Sequence, residues 1–219
     1  MSNNQSEPID IKKVKLEYRV ILNLIPKGSS VLDLGCGDGE LLNLLVKTKN
    51  VRGSGIEIDE QAVRICASLG ISVSQQDIEG GLSDYGDKSF DFVILNQSLQ
   101  QVVKLEAVLK ETLRVGSKVI VGFPNFVYYK SRLQMVFGGR TPVTPSLPNM
   151  WYDTPNLHFL SISDFWAYCS ARNLEIEKAV YLDGNRIIKF FPNFFAQTGI
   201  FLVKNRTKRS EFTNETDIS

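Results

Sequence analysis

Apolar residues recur along this chain with two periods, and their alternation outlines a series of helices and strands. From Lys12 to Ile25 they return every three or four residues, which predicts a helix that ends at Pro26. Short continuous apolar runs then alternate with longer amphipathic stretches. The runs predict strands over residues 30–34, 51–57, 71–76, 90–95 and 117–123, and the stretches between them predict helices over 38–47, 60–69 and 104–115.

The order of these elements predicts an α/β fold. Continuous apolar runs are typical of strands buried on both faces, and strands that alternate with helices form a parallel sheet covered on both sides. We therefore expect a doubly wound, Rossmann-like domain. Helices over 126–137 and 163–173 and strands over 175–182 and 199–203 complete it, which gives a mostly parallel sheet of seven strands.

An inserted segment rich in proline and aromatic residues interrupts this regular order. Residues 138–160 hold four of the eight prolines, one of the two tryptophans and the only histidine. Rigid prolines and large aromatic side chains suit a lid over a binding site, and they suit a protein-binding surface equally well. A structural excursion that covers a sheet edge is the third interpretation. The candidate lid or partner residues are Arg140, Trp151, Tyr152, Asp153 and His158.

The length of 219 residues fits one domain. We expect that domain over residues 12–204, with a disordered N-terminus over 1–11 and a disordered tail over 205–219. The M-S-N-N-Q-S-E-P start lacks the pattern of a secretory signal, and no apolar run approaches the roughly 20 residues that cross a membrane. A cytoplasmic protein is therefore predicted.

Composition and charge narrow the function classes. Hydrophobic residues make up 43% of the chain, charged residues 22%, and the net charge is +1. This balance provides no strong overall field toward nucleic acid or an anionic membrane, so neither is expected as a partner. Three cysteines at wide spacing do not suggest a disulfide framework, and a single histidine leaves no clustered zinc site.

The V-L-D-L-G-C-G-D-G sequence of residues 31–39 is the clearest candidate site. Gly35, Gly37 and Gly39 follow a predicted strand and precede a helix, where a backbone can wrap around a ligand and offer free N–H groups. Dinucleotide loops have the spacing G-x-G-x-x-G, whereas this loop has G-x-G-x-G. The carboxylate of Asp33 would repel a pyrophosphate and attract an ammonium group. S-adenosylmethionine, which has an amino acid end and no phosphate, fits this loop, with Cys36 among the contacting residues.

Polar residues at the next strand ends extend the predicted site. Glu57 ends the second strand, where nucleotide folds place an acid that binds ribose. Asp77 follows the third strand and is predicted to accept from an adenine amino group, with Ile58 and Ile78 beside the ring. Asn96 ends the fourth strand and closes the site. Each carboxylate alone would more often be an ordinary surface group, and only the joint spacing indicates a site.

These motifs resemble the class I S-adenosylmethionine-dependent methyltransferases, through V-L-D-L-G-C-G-D-G, G-I-E-I-D, Q-D-I and F-D-F-V-I-L. From about residue 29 to residue 204 the chain is similar to the methionine-biosynthesis MetW family, most distinctively in W-Y-D-T-P-N-L-H. That resemblance implies a bound S-adenosylmethionine or S-adenosylhomocysteine and a role beside the homoserine O-acyltransferase MetX. One departure follows F-P-N-F, where the family commonly has Gly-His-Trp and this chain has Val127, Tyr128 and Tyr129.

Two functions remain open at this point. The first is a partner that binds S-adenosylmethionine and activates the acyltransferase. The second is a methyltransferase that acts on an unidentified small molecule, for which His158 and Tyr152 are candidate catalytic residues without positional support. No catalytic residue is identified, so the sequence favours cofactor binding more firmly than methyl transfer.

Overall fold

The computed structural model describes residues 9–80 and 82–206. The chain begins with a short 3-10 helix, Ile11–Lys13, and contains a second one, Leu99–Gln101. The α-helices are α1 Leu16–Leu24, α2 Glu40–Lys49, α3 Glu60–Ser68, α4 Leu105–Val115, α5 Tyr129–Gly138, α6 Ile162–Ala171 and α7 Pro192–Phe195. The strands are β1 Ser30–Leu34, β2 Arg52–Glu57, β3 Ser72–Gln75, β4 Phe90–Asn96, β5 Gly116–Pro124, β6 Leu174–Asp183, β7 Arg186–Ile187 and β8 Thr198–Asn205.

All of these strands form one sheet in the order β3-β2-β1-β4-β5-β8-β6-β7. The first five pair in parallel, whereas β8 pairs antiparallel with both β5 and β6. The predicted doubly wound, mostly parallel α/β fold is confirmed. The sheet has eight strands rather than seven, because β6 turns back at Gly184 into the two-residue strand β7.

Helices cover both faces of the sheet, as its apolar strands require. Within β4, Val93 and Leu95 pack on the side of α4 and α6, and Phe92 and Ile94 pack on the side of α1 and α2. All four side chains are buried. Alternate residues of one strand therefore supply two separate cores, which explains why the strand has no polar face.

Local signals in the sequence set several helix starts. The Asp59 carboxylate accepts a hydrogen bond from the Ala62 N–H at 2.7 Å and so caps the start of α3. Ser161 and Asp164 form a reciprocal capping box at the start of α6. That helix therefore begins directly after the proline-rich segment.

The described secondary structure reaches one residue beyond the predicted domain at each end. Ile11 begins the first 3-10 helix and Asn205 ends β8, although the sequence assigns both to disordered ends. Residues 1–8 and 207–219, on which most of the predicted disorder falls, lie outside the described residues. Within the described ranges, no helix has the length and apolar character to span a membrane. The three cysteines are buried and unbonded.

Candidate functional site

The predicted site residues converge at one edge of the sheet. Glu57 and Asn96 are the last residues of β2 and β4, and the glycine loop follows β1 directly. Because β3, β2, β1 and β4 are parallel neighbours, their carboxyl ends open onto the same crevice. Asp33 lies within β1, beside Gly55 of β2 and Ile94 of β4.

The three positions of the loop require glycine for different structural reasons. All have positive φ angles, of 74°, 56° and 75° for Gly35, Gly37 and Gly39. A Cβ at Gly35 would lie 2.9 Å from the Cβ of Ser98, and one at Gly39 would lie 2.8 Å from the sulfur of Cys66. A Cβ at Gly37 would meet nothing within 4 Å. Gly35 and Gly39 therefore serve packing, and Gly37 presents a bare backbone to open space.

The expectation that this loop offers free N–H groups is wrong for four of its residues. The Gly35 and Cys36 N–H groups donate to the Ile56 carbonyl at 2.8 and 3.2 Å, and the Gly39 N–H donates to the Cys36 carbonyl at 3.0 Å. The Gly37 N–H donates to the Glu57 carboxylate at 2.8 Å. These donors are already used, so the loop is poorly suited to a phosphate. This finding agrees with a ligand that has none.

Asp33 is a buried acid, and only 3% of it is exposed. Burial raises the pKa of its carboxyl to about 7, and the nearby Glu57 carboxylate raises that pKa further. A cation placed beside Asp33 would favour its ionised form. The position therefore suits the ammonium group that the sequence predicts.

Glu57 ties the glycine loop to the end of β2. One carboxylate oxygen, Oε1, accepts from the N–H groups of Ile58 and Asp59 at 2.8 and 3.0 Å. The other, Oε2, accepts only from Gly37 among the described residues. Since a carboxylate has about four acceptor positions, Oε2 retains capacity for one more donor, such as a ribose hydroxyl.

The remaining predicted contacts lie around the same crevice. Asp77 is exposed, and its carboxylate accepts from the Glu79 N–H at 2.9 Å. Ile58 is 65% exposed, whereas Ile78 packs against the core. Within the described ranges, the Asn96 side-chain oxygen is buried without a hydrogen-bond partner. Buried oxygens of this kind usually accept a hydrogen bond, so this one lacks a donor in that part of the chain.

Cys36 supports the loop from beneath. Its sulfur would lie 2.5 Å from a Cβ at Gly55, so the thiol packs directly on β2. Burial raises the pKa of the Cys36 thiol well above its ordinary value. The thiol of Cys66 donates to the Gly37 carbonyl at 3.3 Å and fixes the loop from α3. Both side chains therefore shape the loop as neutral thiols, and the Cys36 backbone groups are themselves hydrogen-bonded within the protein.

Sequence reasoning missed two residues that hold this site. The Ser98 hydroxyl donates to the Leu34 carbonyl at 2.8 Å, directly before the glycine loop. Glu17 of α1 accepts from the side-chain amide of Gln97 at 3.0 Å. Gln97 itself has a φ of 61°, a conformation that is strained for a residue with a side chain and is common at functional sites. Neither contact has a local sequence signal, because each joins distant parts of the chain.

The proline-rich segment is fastened to the turn after β4. The Gln100 carbonyl accepts from the Leu157 and His158 N–H groups at 2.8 and 3.0 Å. The His158 Nε2 lies 2.9 Å from the Val102 carbonyl, which accepts only, so this nitrogen is the donor. His158, predicted as a candidate base, thus has one ring nitrogen engaged in holding the segment.

The other predicted lid or partner residues point away from the core. Trp151 and Tyr152 are 73% and 69% exposed, and their rings meet edge to face at 5.6 Å. Asp153 and Arg140 are also exposed. Within Val127, Tyr128 and Tyr129, where the resemblance implies a departure from the family pattern, Tyr128 is buried and its hydroxyl donates to Asp183 at 3.2 Å. Tyr128 therefore belongs to the core.

The sheet order, the antiparallel β8 beside β5 and the glycine loop after β1 define the fold of the class I S-adenosylmethionine-dependent methyltransferases. A SAM-dependent methyltransferase from Archaeoglobus fulgidus is similar with a TM-score of 0.63 and 18% identity, over 87% of this chain and 92% of that chain. A possible histamine N-methyltransferase from Thermotoga maritima is similar with a TM-score of 0.64 and 19% identity, over 87% of each chain. At these identities the likeness shows the fold alone.

The chain belongs to the MetW family. The family model described as methionine biosynthesis protein MetW matches residues 15–203. The bifunctional methionine biosynthesis protein MetXA/MetW of Rhodopirellula baltica is 38% identical over 206 residues, which cover 88% of this chain. This chain spans about a third of the length of that relative, since the match covers 33% of it. The predicted membership in the family described as methionine biosynthesis protein MetW is confirmed.

Proposed function

We propose that this protein binds S-adenosylmethionine or S-adenosylhomocysteine at the β1–β4 crevice and activates a MetX-type homoserine O-acyltransferase as its partner. The observation that supports cofactor binding is a set of buried polar groups at the crevice, together with a glycine whose backbone is open to a ligand. Asp33 is a buried acid, the Asn96 side-chain oxygen has no partner in the described part of the chain, and Gly37 faces open space. A cationic ligand that also donates hydrogen bonds would satisfy these groups together.

The cofactor contacts in this proposal follow from the chemistry of each residue. Asp33 would hold the ammonium group, Glu57 the ribose hydroxyls, and Asp77 the adenine amino group, with Ile58 and Ile78 beside the ring. Asn96 would accept from the amino acid end. When bound, S-adenosylmethionine supplies a methyl group on a positively charged sulfur.

The partner proposal rests on the relative from Rhodopirellula baltica. Its name joins MetXA and MetW in one polypeptide. A shared polypeptide keeps two modules at high effective concentration, so natural fusion is expected for proteins that act together. A cytoplasmic location, as predicted from the sequence, belongs to the same proposal.

The test has two measurements on the full chain. Calorimetry with S-adenosylmethionine and with S-adenosylhomocysteine measures binding, and loss of that signal in Glu57→Ala assigns the binding to this crevice. Homoserine acylation by the acyltransferase encoded in the same genome is then measured with and without this protein. We expect binding of at least one nucleoside and faster acylation when the protein is present. Failure of both nucleosides to bind, or unchanged acylation with no complex on a sizing column, would contradict the corresponding half of the proposal.

The second candidate is methyl transfer to a small molecule. The same crevice supports it, because the cofactor residues required for binding are those a methyltransferase uses. A base is the missing element, since His158 uses its Nε2 to hold the Val102 carbonyl and Tyr152 is exposed. Incubation with S-adenosylmethionine and a metabolite extract distinguishes the two functions. Formation of S-adenosylhomocysteine that stops in a Gly37→Val variant would favour the enzyme.

A further inference from the structure

One face of the protein carries large apolar side chains with no cover in the described structure. We define the aromatic face as α5, residues 138–160, and α7 with the two phenylalanines that precede it. Six of its side chains are between 64% and 83% exposed, namely Val136, Phe137, Trp151, Tyr152, Phe190 and Phe191. Exposed apolar side chains of this size are typical of an interaction site where they lie on neighbouring segments.

Direct contacts show that the three parts of the aromatic face are neighbours. The Tyr129 and Phe194 rings stack at 5.8 Å, and the Arg132 guanidinium lies 5.4 Å from the centre of the Phe194 ring, so α5 packs on α7. On its other side, the Gln134 side chain makes two hydrogen bonds with the Val143 backbone, at 2.8 and 2.9 Å. One continuous surface therefore runs from α7 across α5 to residues 138–160.

A concave site lies within this face. Phe126, Trp151 and Phe159 line a cavity of about 350 Å³, where the Phe126 and Phe159 rings approach to 4.6 Å. The rest of its lining is neutral and includes the side chains of Asn149 and Asn156. An uncharged, aromatic-rimmed cavity suits one large apolar side chain from a partner, as interface anchors commonly fill such pockets.

The excess of positive charge around the aromatic face indicates which surface charge a partner must carry. Residues 125–162 and 184–197 contain the cations Lys130, Arg132, Arg140, Arg186 and Lys189, and Asp153 is the single acid in these two ranges. A second copy that docked through this same face would therefore place cations against cations. The complementary surface is an apolar anchor surrounded by aspartate and glutamate side chains.

We propose that the aromatic face is the docking surface for the homoserine O-acyltransferase, an inference that rests on the function proposed above. The partner inserts an apolar side chain between Trp151 and Phe126, and its acidic rim meets Arg140 and Lys130. The fused relative supports this occupant, because its name places MetXA and MetW in one polypeptide. An anionic membrane would also attract cations and aromatic rings, but it does not require a neutral concave pocket.

The attachment of residues 138–160 gives this surface a fixed shape. Gln100 and Val102, in the turn after β4, hold Leu157 and His158 through three hydrogen bonds of 2.8 to 3.0 Å. The same turn contains Ser98, which supports the glycine loop. The docking surface is therefore preorganised, and binding requires less ordering of loose chain.

The experiment measures the dissociation constant of the full-length chain with the purified acyltransferase by surface plasmon resonance. Trp151→Ala removes the wall of the cavity, and Arg140→Glu reverses one rim charge. We expect Trp151→Ala to weaken binding by about tenfold or more. Arg140→Glu should slow association several-fold at low salt, with a smaller effect at high salt. The matched control is Ile65→Ala, which removes an exposed apolar side chain from α3 at the opposite end of the sheet.

The outcomes separate this proposal from the one on which it rests. If the wild-type chain forms no complex, the partner function fails. If it forms a complex that Trp151→Ala, Tyr152→Ala and Arg140→Glu all leave unchanged, the docking surface is wrong and the function stands. Circular dichroism and calorimetry with S-adenosylmethionine verify that each variant is folded. Two other interactions are measured in the same variants. If the variants lose wild-type binding to phosphatidylserine vesicles while acyltransferase binding persists, the face belongs to a membrane instead. If they lose self-association in the same way, the face belongs to a second copy.

Discussion

Asp33 makes pH a direct probe of the proposed cofactor site. Its carboxyl is 3% exposed, and burial together with the Glu57 carboxylate raises its pKa from the ordinary 3.8 to about 7. Each pH unit of such a difference corresponds to about 1.4 kcal/mol, so the folded protein disfavours the ionised form by on the order of 4 kcal/mol. The native state binds this proton more tightly than the unfolded state does. Stability from this residue therefore falls as pH rises from about 4 to about 7 and is then constant.

Replacement of Asp33 by Asn keeps the shape of the side chain and removes its ionisation. We expect the free energy of unfolding of Asp33→Asn to match that of the wild type near pH 4, where both side chains are neutral. At pH 8 the variant should be the more stable by up to roughly 4 kcal/mol, because only the wild type then buries a charge. Urea unfolding of both proteins at the two pH values measures this difference. An equal gap at both pH values would refute the assigned cause.

Ligand binding should respond to pH in the opposite sense. An ammonium group beside Asp33 favours the carboxylate, so binding below pH 7 must expel the proton. The affinity of the wild type for S-adenosylmethionine should therefore rise about tenfold per pH unit well below pH 7 and level off above it. Asp33→Asn should bind more weakly and with little pH dependence. Calorimetry in two buffers of different ionisation enthalpy counts the released proton. Constant wild-type affinity from pH 5 to 7.5, without proton release, would refute the reasoning.

Three further substitutions test other parts of the site. Gly37→Val should abolish nucleoside binding in calorimetry because its side chain fills the open face, whereas Gly70→Val, with similar positive-φ strain and open space, should retain it. Glu57→Gln either places an amide N–H₂ opposite the Gly37 N–H or removes one of the other acceptor positions of the carboxylate. We therefore expect a loss of stability of about 1–3 kcal/mol in thermal melts, and weaker nucleoside binding. Equal melts would contradict the role of that bond. His158→Ala removes the bond to Val102 and should speed proteolysis within residues 138–160, while nucleoside affinity persists.

Most of the fold could be predicted because burial on both faces leaves a clear pattern. Strands such as β4 have apolar residues at successive positions, since alternate side chains enter two cores. The two-residue β7 and the four-residue α7 are too short to show any period, so they were missed. The D-G-N sequence before β7 is a turn signal that indicates such a hairpin.

The convergence of the candidate residues at one sheet edge could be predicted, whereas their hydrogen bonds could not. Glu57 and Asn96 could be placed in one crevice because parallel strands end at a common edge. The use of the Gly37 N–H could not be predicted, because its partner Glu57 comes from the next strand. Proximity across the sheet decides such a bond, and spacing along the chain does not show it.

The sequence by itself determined the order of strands and helices, the glycine loop and the acids at the strand ends, since each depends on neighbours in the chain. Tertiary structure decided which groups remain available to a ligand. In the folded chain, four loop N–H groups donate to acceptors within the protein, and Asp33 is buried beside Glu57. The Asn96 oxygen has no partner among the described residues. Tertiary structure also brought α5, α7 and residues 138–160 together into one exposed aromatic face. Burial and charge proximity depend on distances between remote parts of the chain, and only folding sets those distances.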